Sequence, residues 1–328
     1  MTPPRAGGQR AVEPRRPTGR SGGSSRQGSS RPAKAKRSPS LVTPPEVLRR
    51  LGVSPRKALG QHFLLDTFIL GDLADACLLG PEDTVLEIGA GPGGLTEELA
   101  KRAGHVVAVE LDEELASLSR RRLAEAGNVE IINADCLDYT PEELLEEAGA
   151  AAPYIATGNL PYYITQPVIR RLLEADPAPD RIVVLVQREV ARRMVGGPGH
   201  ESLLSMSIKC YGTPEPLFDV PASAFWPPPK VESAAVRIVR LPEGEAGTGL
   251  PHERIPRLFN LLRAGFSEPR KQLHNVLAGA FGIPDRAMLE LLGTAAIDPA
   301  ARAQHLDLAD WRRLFDAIEA THPKLLDA

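Results

Sequence analysis

The sequence predicts an α/β protein, with helices around a parallel sheet, that ends in a small all-helical C-terminal domain. Between residues 84 and 186, apolar β-type runs alternate with helical segments, a pattern typical of strands buried on both faces. After the proline- and glycine-rich stretch 242–251, only helical patterns remain. The length of 328 residues fits about two domains. We therefore expect a disordered basic tail at 1–45, an α/β domain at 46–245 and a helical domain at 252–328.

Each element has a local signature. Runs rich in β-branched residues predict five strands, at 84–88, 105–109, 129–132, 153–157 and 181–186. Helical patterns lie between them, at 95–102, 112–126 and 166–174. The segment 205–211 fits a strand or a helix, and a strand at 234–239 would extend the sheet by an antiparallel edge. Later helices are broken at 282–284 and 298–299, where prolines stand.

The composition excludes several classes of protein. Hydrophobic residues make up 42% and charged residues 25%, as in ordinary soluble globular proteins. No apolar run approaches the roughly 18–20 residues of a membrane span, so we expect no membrane residence. Cys77, Cys136 and Cys210 are widely separated and fit no zinc spacing. We expect them to be small buried apolar side chains in a reducing cytoplasm, and we expect no metal site.

The first 40 residues carry ten Arg or Lys and a single acid, Glu13, although the whole chain has a net charge of −3. This segment is rich in Gly, Ser and Pro and has too few aliphatic residues to fold. A basic disordered arm could anchor RNA without sequence preference. A solvated tail without a role, a misassigned start and an organellar transit peptide are the alternatives.

A glycine-rich turn joins the first predicted strand of the sheet to the first helix. Glycine permits positive φ and a close approach of backbone to a ligand. Gly89, Gly91 and Gly94 satisfy the G-x-G-x-x-G pattern of dinucleotide sites. Glu110, at the end of the next strand, suits ribose hydroxyls of either a dinucleotide or S-adenosylmethionine. The turn alone therefore leaves the cofactor open.

Two acids favour S-adenosylmethionine. Glu87 directly precedes the turn, where negative charge attracts a sulfonium and would repel a pyrophosphate. Asp135 ends the third strand and is placed to accept from an adenine amine. We therefore expect a Rossmann-like S-adenosylmethionine-dependent methyltransferase sheet; the alternative is a structural glycine turn that binds nothing.

Asn159-Leu160-Pro161-Tyr162 is typical of a site that presents an exocyclic amine to a methyl donor. The Asn159 side-chain oxygen and the Leu160 carbonyl can accept the two N–H bonds of an adenine amine and localise its lone pair. Tyr162 offers a flat face to the base. The alternative is an ordinary Asn-Pro turn that closes a strand. Phe225 is a candidate for the opposite face of the base, and its alternative is a core aromatic.

These motifs together resemble the bacterial small-subunit (16S) ribosomal RNA adenine N6,N6-dimethyltransferases. The resemblance runs from about Lys57 to the C-terminus. It also includes the segments Gly60-Gln61-His62-Phe63-Leu64, Gln187-Arg188-Glu189-Val190, the proline-rich 224–234 and Arg270-Lys271-Gln272-Leu273. His62 and Tyr163 depart from the family, which often has Asn at the first position and Asn or His at the second.

The resemblance implies both the donor contacts and the substrate. The residues implied to contact S-adenosylmethionine are His62, Leu64, Gly89, Glu110, Asp135 and Asn159. The implied substrate is a pair of adjacent adenines near the 3′ end of 16S RNA, in a small-subunit assembly intermediate. We expect a monomeric enzyme whose domain 252–328 contacts RNA. The transfer is an in-line displacement with no covalent enzyme intermediate and no required general base.

Basic residues follow the fifth predicted strand and recur along the first predicted C-terminal helices. They could form a stripe for phosphates, or each could be a solvated surface charge. The residues are Arg188, Arg192, Arg193, Arg254, Arg257, Arg263, Arg270 and Lys271.

Three other functions remain open. A large-subunit RNA dimethyltransferase of the antibiotic-resistance type shares the Asn-x-Pro-Tyr site, but the full box from Phe225 to Ala234 favours the small-subunit family. A non-catalytic nucleic-acid binder would not need an intact donor loop. A nicotinamide-dependent oxidoreductase does not explain the segment Asn159 to Tyr162.

Overall fold

Seven strands form one mixed sheet at the centre of the chain. The computed structural model describes residues 48–49, 52–56, 59–242 and 248–327, all within the compact unit Ser40–Ala328. The predicted tail 1–45 lies outside the described residues. The strands of the sheet are β2 (Thr84–Ile88), β3 (His105–Glu110), β4 (Val129–Asn133), β5 (Tyr154–Asn159), β6 (Arg181–Gln187), β7 (Gly212–Val220) and β9 (Ser233–Arg240). A separate two-stranded sheet pairs β1 (Phe63–Leu64) with β8 (Phe225–Trp226).

Five parallel strands form the part of the sheet that the alternating pattern predicts. Their spatial order is β4-β3-β2-β5-β6, so the chain reverses direction across the sheet between β2 and β5. Val107 and Val184 are fully buried on one face of the sheet, and Val85 and Val183 on the other. Burying each such side chain contributes roughly 1.5–3 kcal/mol, which explains why these strands are apolar throughout.

Two antiparallel strands complete the sheet, which confirms the predicted edge addition. β9 runs antiparallel to β6, and β7 runs antiparallel to β9 at the edge. β7 was not predicted from the sequence, because Pro214 and Pro216 interrupt the alternation of residues that is typical of a strand. An edge strand tolerates proline, since one side of its backbone needs no donor.

Helices cover both faces of the sheet. In the α/β part they are α1 (Thr67–Ala76), α2 (Gly94–Ala100), α3 (Glu113–Arg122), α4 (Pro141–Glu147), α5 (Thr165–Leu173), α6 (Arg188–Val195) and α7 (Leu203–Lys209). α7 decides the ambiguous segment in favour of a helix, which begins at a capping box between Ser202 and Ser205. α4 has a readable capping box between Thr140 and Glu143, whereas α6 follows β6 directly and has no side-chain cap.

The C-terminal region is helical, as predicted. Its helices are α8 (Ile255–Phe266), α9 (Leu273–Phe281), α10 (Asp285–Thr294) and α11 (Leu308–Thr321). Trp311 and Phe315 lie at the centre of their apolar core, which Met206 of α7 also enters. A Cβ on Gly265 would lie 2.3 Å from the Trp311 ring, so only glycine lets α8 and α11 approach so closely. None of the helices in the described ranges is both long and apolar enough to cross a membrane.

Candidate functional site

A cavity of about 430 Å³ opens at the carboxyl ends of the parallel strands, where the chain changes direction across the sheet. Its walls are the glycine-rich turn after β2, the ends of β3 and β4, the loop after β5 and the segment 59–64, which we call the strap. The predicted site residues that line it are His62, Leu64, Glu87, Gly89, Gly91, Glu110, Asp135, Asn159, Leu160 and Tyr162. Tertiary structure thus brings together residues almost 100 positions apart.

Glycine is required around the cavity for two different reasons. Gly89 and Gly91 have φ of +83° and +55°, backbone conformations that residues with a side chain rarely adopt. Gly158 has ordinary φ, but a Cβ there would lie 2.3 Å from the Ile88 carbonyl oxygen. The missing side chain therefore lets β5 lie close to the end of β2 and places Asn159 beside the glycine-rich turn.

Glu110 lies at the end of β3 and holds the glycine-rich turn. Its Oε2 accepts from the Gly91 N–H at 2.7 Å, and its Oε1 accepts from the Asp112 N–H at 2.9 Å. Burial raises the pKa of Glu110, while these two backbone donors oppose the shift. Each carboxyl oxygen keeps a lone pair that fits a ribose hydroxyl.

Asp135 follows β4 and keeps one oxygen for a ligand. Its Oδ1 accepts from the Leu137 N–H at 2.9 Å, so the carboxyl group is oriented by its own turn. The other oxygen has no hydrogen-bond partner among the described residues and can accept from an adenine amine.

Glu87 is the most buried acid of the cavity, with 1% exposure. Its Oε2 has no hydrogen-bond partner in the described part of the chain, and neither has the Thr96 hydroxyl. Burial raises the pKa of Glu87 to about 7; the Thr96 hydroxyl, which faces the carboxyl group but does not complete a hydrogen bond to it, opposes the shift, and the charge of Glu110 adds to it. An orphaned buried carboxyl group fits a cationic ligand, so the acids of this cavity match the sulfonium, ribose and adenine of S-adenosylmethionine.

Asn159 uses its side-chain nitrogen to hold the strap. Its Nδ2 donates to the His62 carbonyl at 3.0 Å, which leaves Oδ1 as a free acceptor. The Leu160 side chain is buried, and its N–H donates to the Leu185 carbonyl at 3.2 Å. No hydrogen bond to the Leu160 carbonyl is formed by the described residues. Two adjacent acceptors, Asn159 Oδ1 and Leu160 O, thus match the two N–H bonds of an adenine amine.

The Tyr162 ring is held from two sides. It stacks on the His62 ring, with 5.8 Å between centroids and an interplanar angle of 27°. Its hydroxyl lies 3.4 Å from the Ser233 Oγ. His62 in turn donates from Nδ1 to the Pro227 carbonyl at 2.7 Å. The sequence did not predict that His62 would orient this tyrosine, because the contact joins segments about 100 residues apart.

Phe225 does not meet the expectation that it stacks on the base. It is 5% exposed, packs in the core with Leu64 and Leu70, and does not line the cavity. β1 and β8 pair in the register Leu64↔Phe225, which turns the aromatic ring into the core. Phe225 is therefore a core aromatic, which was the alternative to stacking on the base.

Tyr163 lies at the rim of the cavity and is 56% exposed. A Cβ on Gly60 of the strap would lie 3.6 Å from its ring, so Tyr163 packs over that glycine. The side chain borders the cavity entrance, where it contributes to the wall that faces a ligand.

Sequence reasoning missed the residues that fasten the strap. Gln61 Nε2 donates to Asp112 Oδ2 at 3.2 Å, and Gln61 Oε1 accepts from the Arg56 N–H at 2.7 Å. Asp112 is 3% exposed and also caps α3 by accepting from the Glu114 N–H. The N-cap role was readable from Asp112-Glu113-Glu114, but the link to Gln61 was not.

The predicted basic stripe divides into two groups. Arg254 and Arg257 of the helical region both pair with Glu319 of α11. The Arg254 guanidinium also lies 5.5 Å from the centroid of the Phe315 ring. These two arginines therefore join helices to one another.

Arg192 and Arg193 of α6 behave differently from Arg254 and Arg257. Both are exposed, and neither forms an ion pair within the described ranges. They line a groove between α6 and the edge strand β7, which His200 also borders. Arg188, in the same groove, pairs with Glu232. Across the described residues, no group of three potential metal ligands is found.

Comparison with known proteins identifies the family. A family model for ribosomal RNA adenine dimethylase matches residues 52–320. The ribosomal RNA small subunit methyltransferase A of Dehalococcoides mccartyi (strain CBDB1) is 44% identical over 269 residues, which cover 82% of this chain and 90% of that protein. The protein of the same name from Pelotomaculum thermopropionicum is 40% identical over 290 residues, covering 86% of this chain and 96% of that protein.

Solved structures agree with the predicted fold class. The 23S rRNA methyltransferase ErmE has a TM-score of 0.64 and 30% identity, and the match covers 78% of this chain and 99% of that one. A dimethyladenosine transferase from Plasmodium falciparum has a TM-score of 0.66 and 26% identity, with coverage of 79% and 98%. The chain therefore belongs to the ribosomal RNA adenine dimethylase family, and it is an S-adenosylmethionine-dependent enzyme that dimethylates adenine in ribosomal RNA.

Proposed function

We propose that this enzyme forms N6,N6-dimethyladenine at two adjacent adenines near the 3′ end of 16S RNA. The observation that carries the proposal is the pair of free acceptors, Asn159 Oδ1 and the Leu160 carbonyl, beside a cavity that fits the methyl donor. The small-subunit target is supported by relatives named small subunit methyltransferase at 40–44% identity. The substrate would be a small-subunit assembly intermediate, and the reaction would take place in the cytoplasm.

The proposed mechanism is positioning rather than covalent catalysis. S-adenosylmethionine supplies a methyl group on a positively charged sulfur. Asn159 Oδ1 and the Leu160 carbonyl accept from the target amine, which concentrates its lone pair toward the cavity. Tyr162, fixed by His62 and Ser233, stacks on the base after the base leaves its strand or loop. Leu160 and the strap limit the access of bulk water to the amine.

The second methylation places a further demand on the same two acceptors. The monomethyl amine has lost one N–H, so only one of Asn159 Oδ1 and Leu160 O receives a hydrogen bond. Both acceptors lie at the wall of an open cavity rather than in a closed core, so the unused one can be hydrated.

A single chain supplies both the donor cavity and the amine acceptors, which supports a monomeric enzyme. For RNA contact we propose the groove lined by Arg192 and Arg193, together with the exposed basic residues Arg270 and Lys271 between α8 and α9. Residues 46–245 would be the catalytic domain and residues 252–328 the RNA-contacting domain.

A second candidate substrate is large-subunit RNA, because the 23S rRNA methyltransferase ErmE is 30% identical over 78% of this chain. The deciding experiment is mass spectrometry of both ribosomal RNAs from a strain that lacks the gene. Loss of N6,N6-dimethyladenine from the 3′ region of small-subunit RNA is the expected result. Its loss from large-subunit RNA alone would move the proposal to the second candidate, and no change in either RNA would refute both.

A further inference from the structure

Glu87 differs from the other acids of the donor cavity because no backbone N–H of the described residues donates to it. Glu110 accepts two backbone N–H bonds and Asp135 accepts one, and such donors favour the charged form of a carboxyl group. Glu87 Oε2 is buried at the cavity wall and accepts no hydrogen bond from the described residues. A buried carboxylate without donors is costly, so in the free protein this environment favours the neutral acid.

Among the described residues, the groups that act on Glu87 supply no positive charge. Thr96 faces it from α2, Thr157 lies beside it in register on β5, and Glu110 ends the neighbouring strand β3. Cys77, after α1, is also close: burial is the main cause that raises the pKa of its thiol, and the charge of Glu87 adds to it. None of the groups that shift the pKa of Glu87 is a Lys, Arg or His. A ligand in the cavity is therefore the source of positive charge that this carboxyl group can meet.

We propose that Glu87 is the counter-ion for the positive charge of S-adenosylmethionine and gives up its own proton when the donor binds. This inference rests on the proposed function. In the exchange the O–H bond of the Glu87 carboxyl group breaks, the proton passes to the solvent, and the carboxylate faces the cation of the donor. No oxidant or further reactant is needed.

The expected signature is proton release that depends on pH. Because the pKa of Glu87 is raised to about 7 in the free protein, donor binding at pH 6 releases close to one proton, and at pH 8 it releases few. Donor affinity then rises about tenfold between pH 6 and pH 8, since less of the protein must be deprotonated first.

Isothermal titration calorimetry of the full chain at pH 6, in two buffers of different ionisation enthalpy, counts the released protons. The variants are Glu87→Gln and a matched control, Glu82→Gln, which removes an exposed acid just before the same strand. We expect proton release in the wild type and in Glu82→Gln but not in Glu87→Gln. Equal release in Glu87→Gln would overturn the inference, because the proton would then come from another group.

A second titration uses S-adenosylhomocysteine, which keeps the α-ammonium group of the donor but lacks the sulfonium. Release with both ligands identifies the ammonium as the partner of Glu87, and release with S-adenosylmethionine alone identifies the sulfonium. Circular dichroism shows whether Glu87→Gln folds. If it does not, the wild-type titration still tests the inference, because donor binding without proton release at pH 6 would overturn it. Failure of the wild type to bind S-adenosylmethionine at any pH would instead refute the donor assignment itself.

Discussion

Asn159 uses the two ends of its amide group for different tasks. The nitrogen donates to the His62 carbonyl, which holds the strap against the loop after β5, and the oxygen remains free beside the Leu160 carbonyl. The strap contact thus determines which amide atom faces the target amine. Asn159 therefore both holds the strap in place and presents a hydrogen-bond acceptor to the target amine.

Replacing Asn159 by Ala removes the acceptor for the target amine. We expect kcat to fall by about 10²–10³, the typical effect of losing one oriented hydrogen-bond group in a transition state. Donor affinity should be largely kept, since Glu110, Asp135 and Glu87 remain. Single-turnover methylation and donor calorimetry measure the two effects, with the exposed Asn275→Ala as a control. Near-normal turnover would contradict the proposed role.

Glu87 also makes the stability of the ligand-free protein depend on pH. Its folded pKa of about 7 is higher than an unfolded value of about 4.3, so between these pH values the folded state binds more protons. Stability therefore falls as pH rises through this window, by roughly 3 kcal/mol in total.

Glu87→Gln should abolish this pH dependence. Its unfolding free energy relative to the wild type should rise from pH 5 to about pH 7 and then level off, because the variant cannot ionise at this position. Urea unfolding at several pH values measures the difference, and Glu82→Gln should follow the wild type. A wild-type slope that persists in Glu87→Gln would assign the pH dependence to other groups.

The close approach of two parallel strands forms the site. β2 and β5 are neighbours, and the loop after each strand forms one wall of the cavity. The strap forms a wall of the cavity and is fastened at two points, through Gln61 to Asp112 and through β1 to β8. Asn159 therefore reaches its position because strands, rather than loops alone, support it.

Gly158→Ala tests this approach of strands. The added Cβ would lie 2.3 Å from the Ile88 carbonyl oxygen, so β5 must move away from β2. We expect a loss of about 1–3 kcal/mol in unfolding free energy, as for other overpacked interiors, together with weaker methylation. Gly127→Ala, which meets no atom within 4 Å, is the matched control. Unchanged thermal unfolding of Gly158→Ala would contradict the packing described.

The chain as a whole is acidic, yet its substrate is an acidic polymer. The net charge is −3, and many arginines of the described region are occupied in ion pairs, as Arg254 and Arg257 are with Glu319. Within the described region, RNA affinity then has to come from local surfaces with unpaired arginines. The groove beside α6, with Arg192 and Arg193, is such a surface.

The double variant Arg192→Glu/Arg193→Glu should weaken RNA binding and reduce its salt dependence. Removing one arginine–phosphate interaction lowers the slope of log affinity against log salt by about 0.7–0.9. Donor binding should not change, because neither residue lines the donor cavity. Filter binding at several salt concentrations measures the effect, and Arg121→Glu/Arg286→Glu carries the same charge change on other exposed positions. Equal reductions in both variants would indicate a general charge effect and not a specific groove.

Much of the fold follows from local patterns in the sequence. The apolar runs predicted the five parallel strands, and the proline and glycine breaks predicted the helical C-terminal region, since both depend on burial and backbone sterics along a short segment. β7 and α6 were missed for opposite reasons. Proline masks β7, which only its place at the sheet edge permits, and α6 begins without a cap.

The residue types along the chain are enough to predict the chemistry of this protein: the glycine-rich turn, the acids at the strand ends and the Asn159-to-Tyr162 loop indicate a methyl donor and an adenine amine. Which side chains face the cavity could be seen only in the folded chain. Folding turns Phe225 into the core and places His62 beside Tyr162. Residue type sets what a group can bind, whereas its partners depend on strand register and on contacts between segments far apart in the chain.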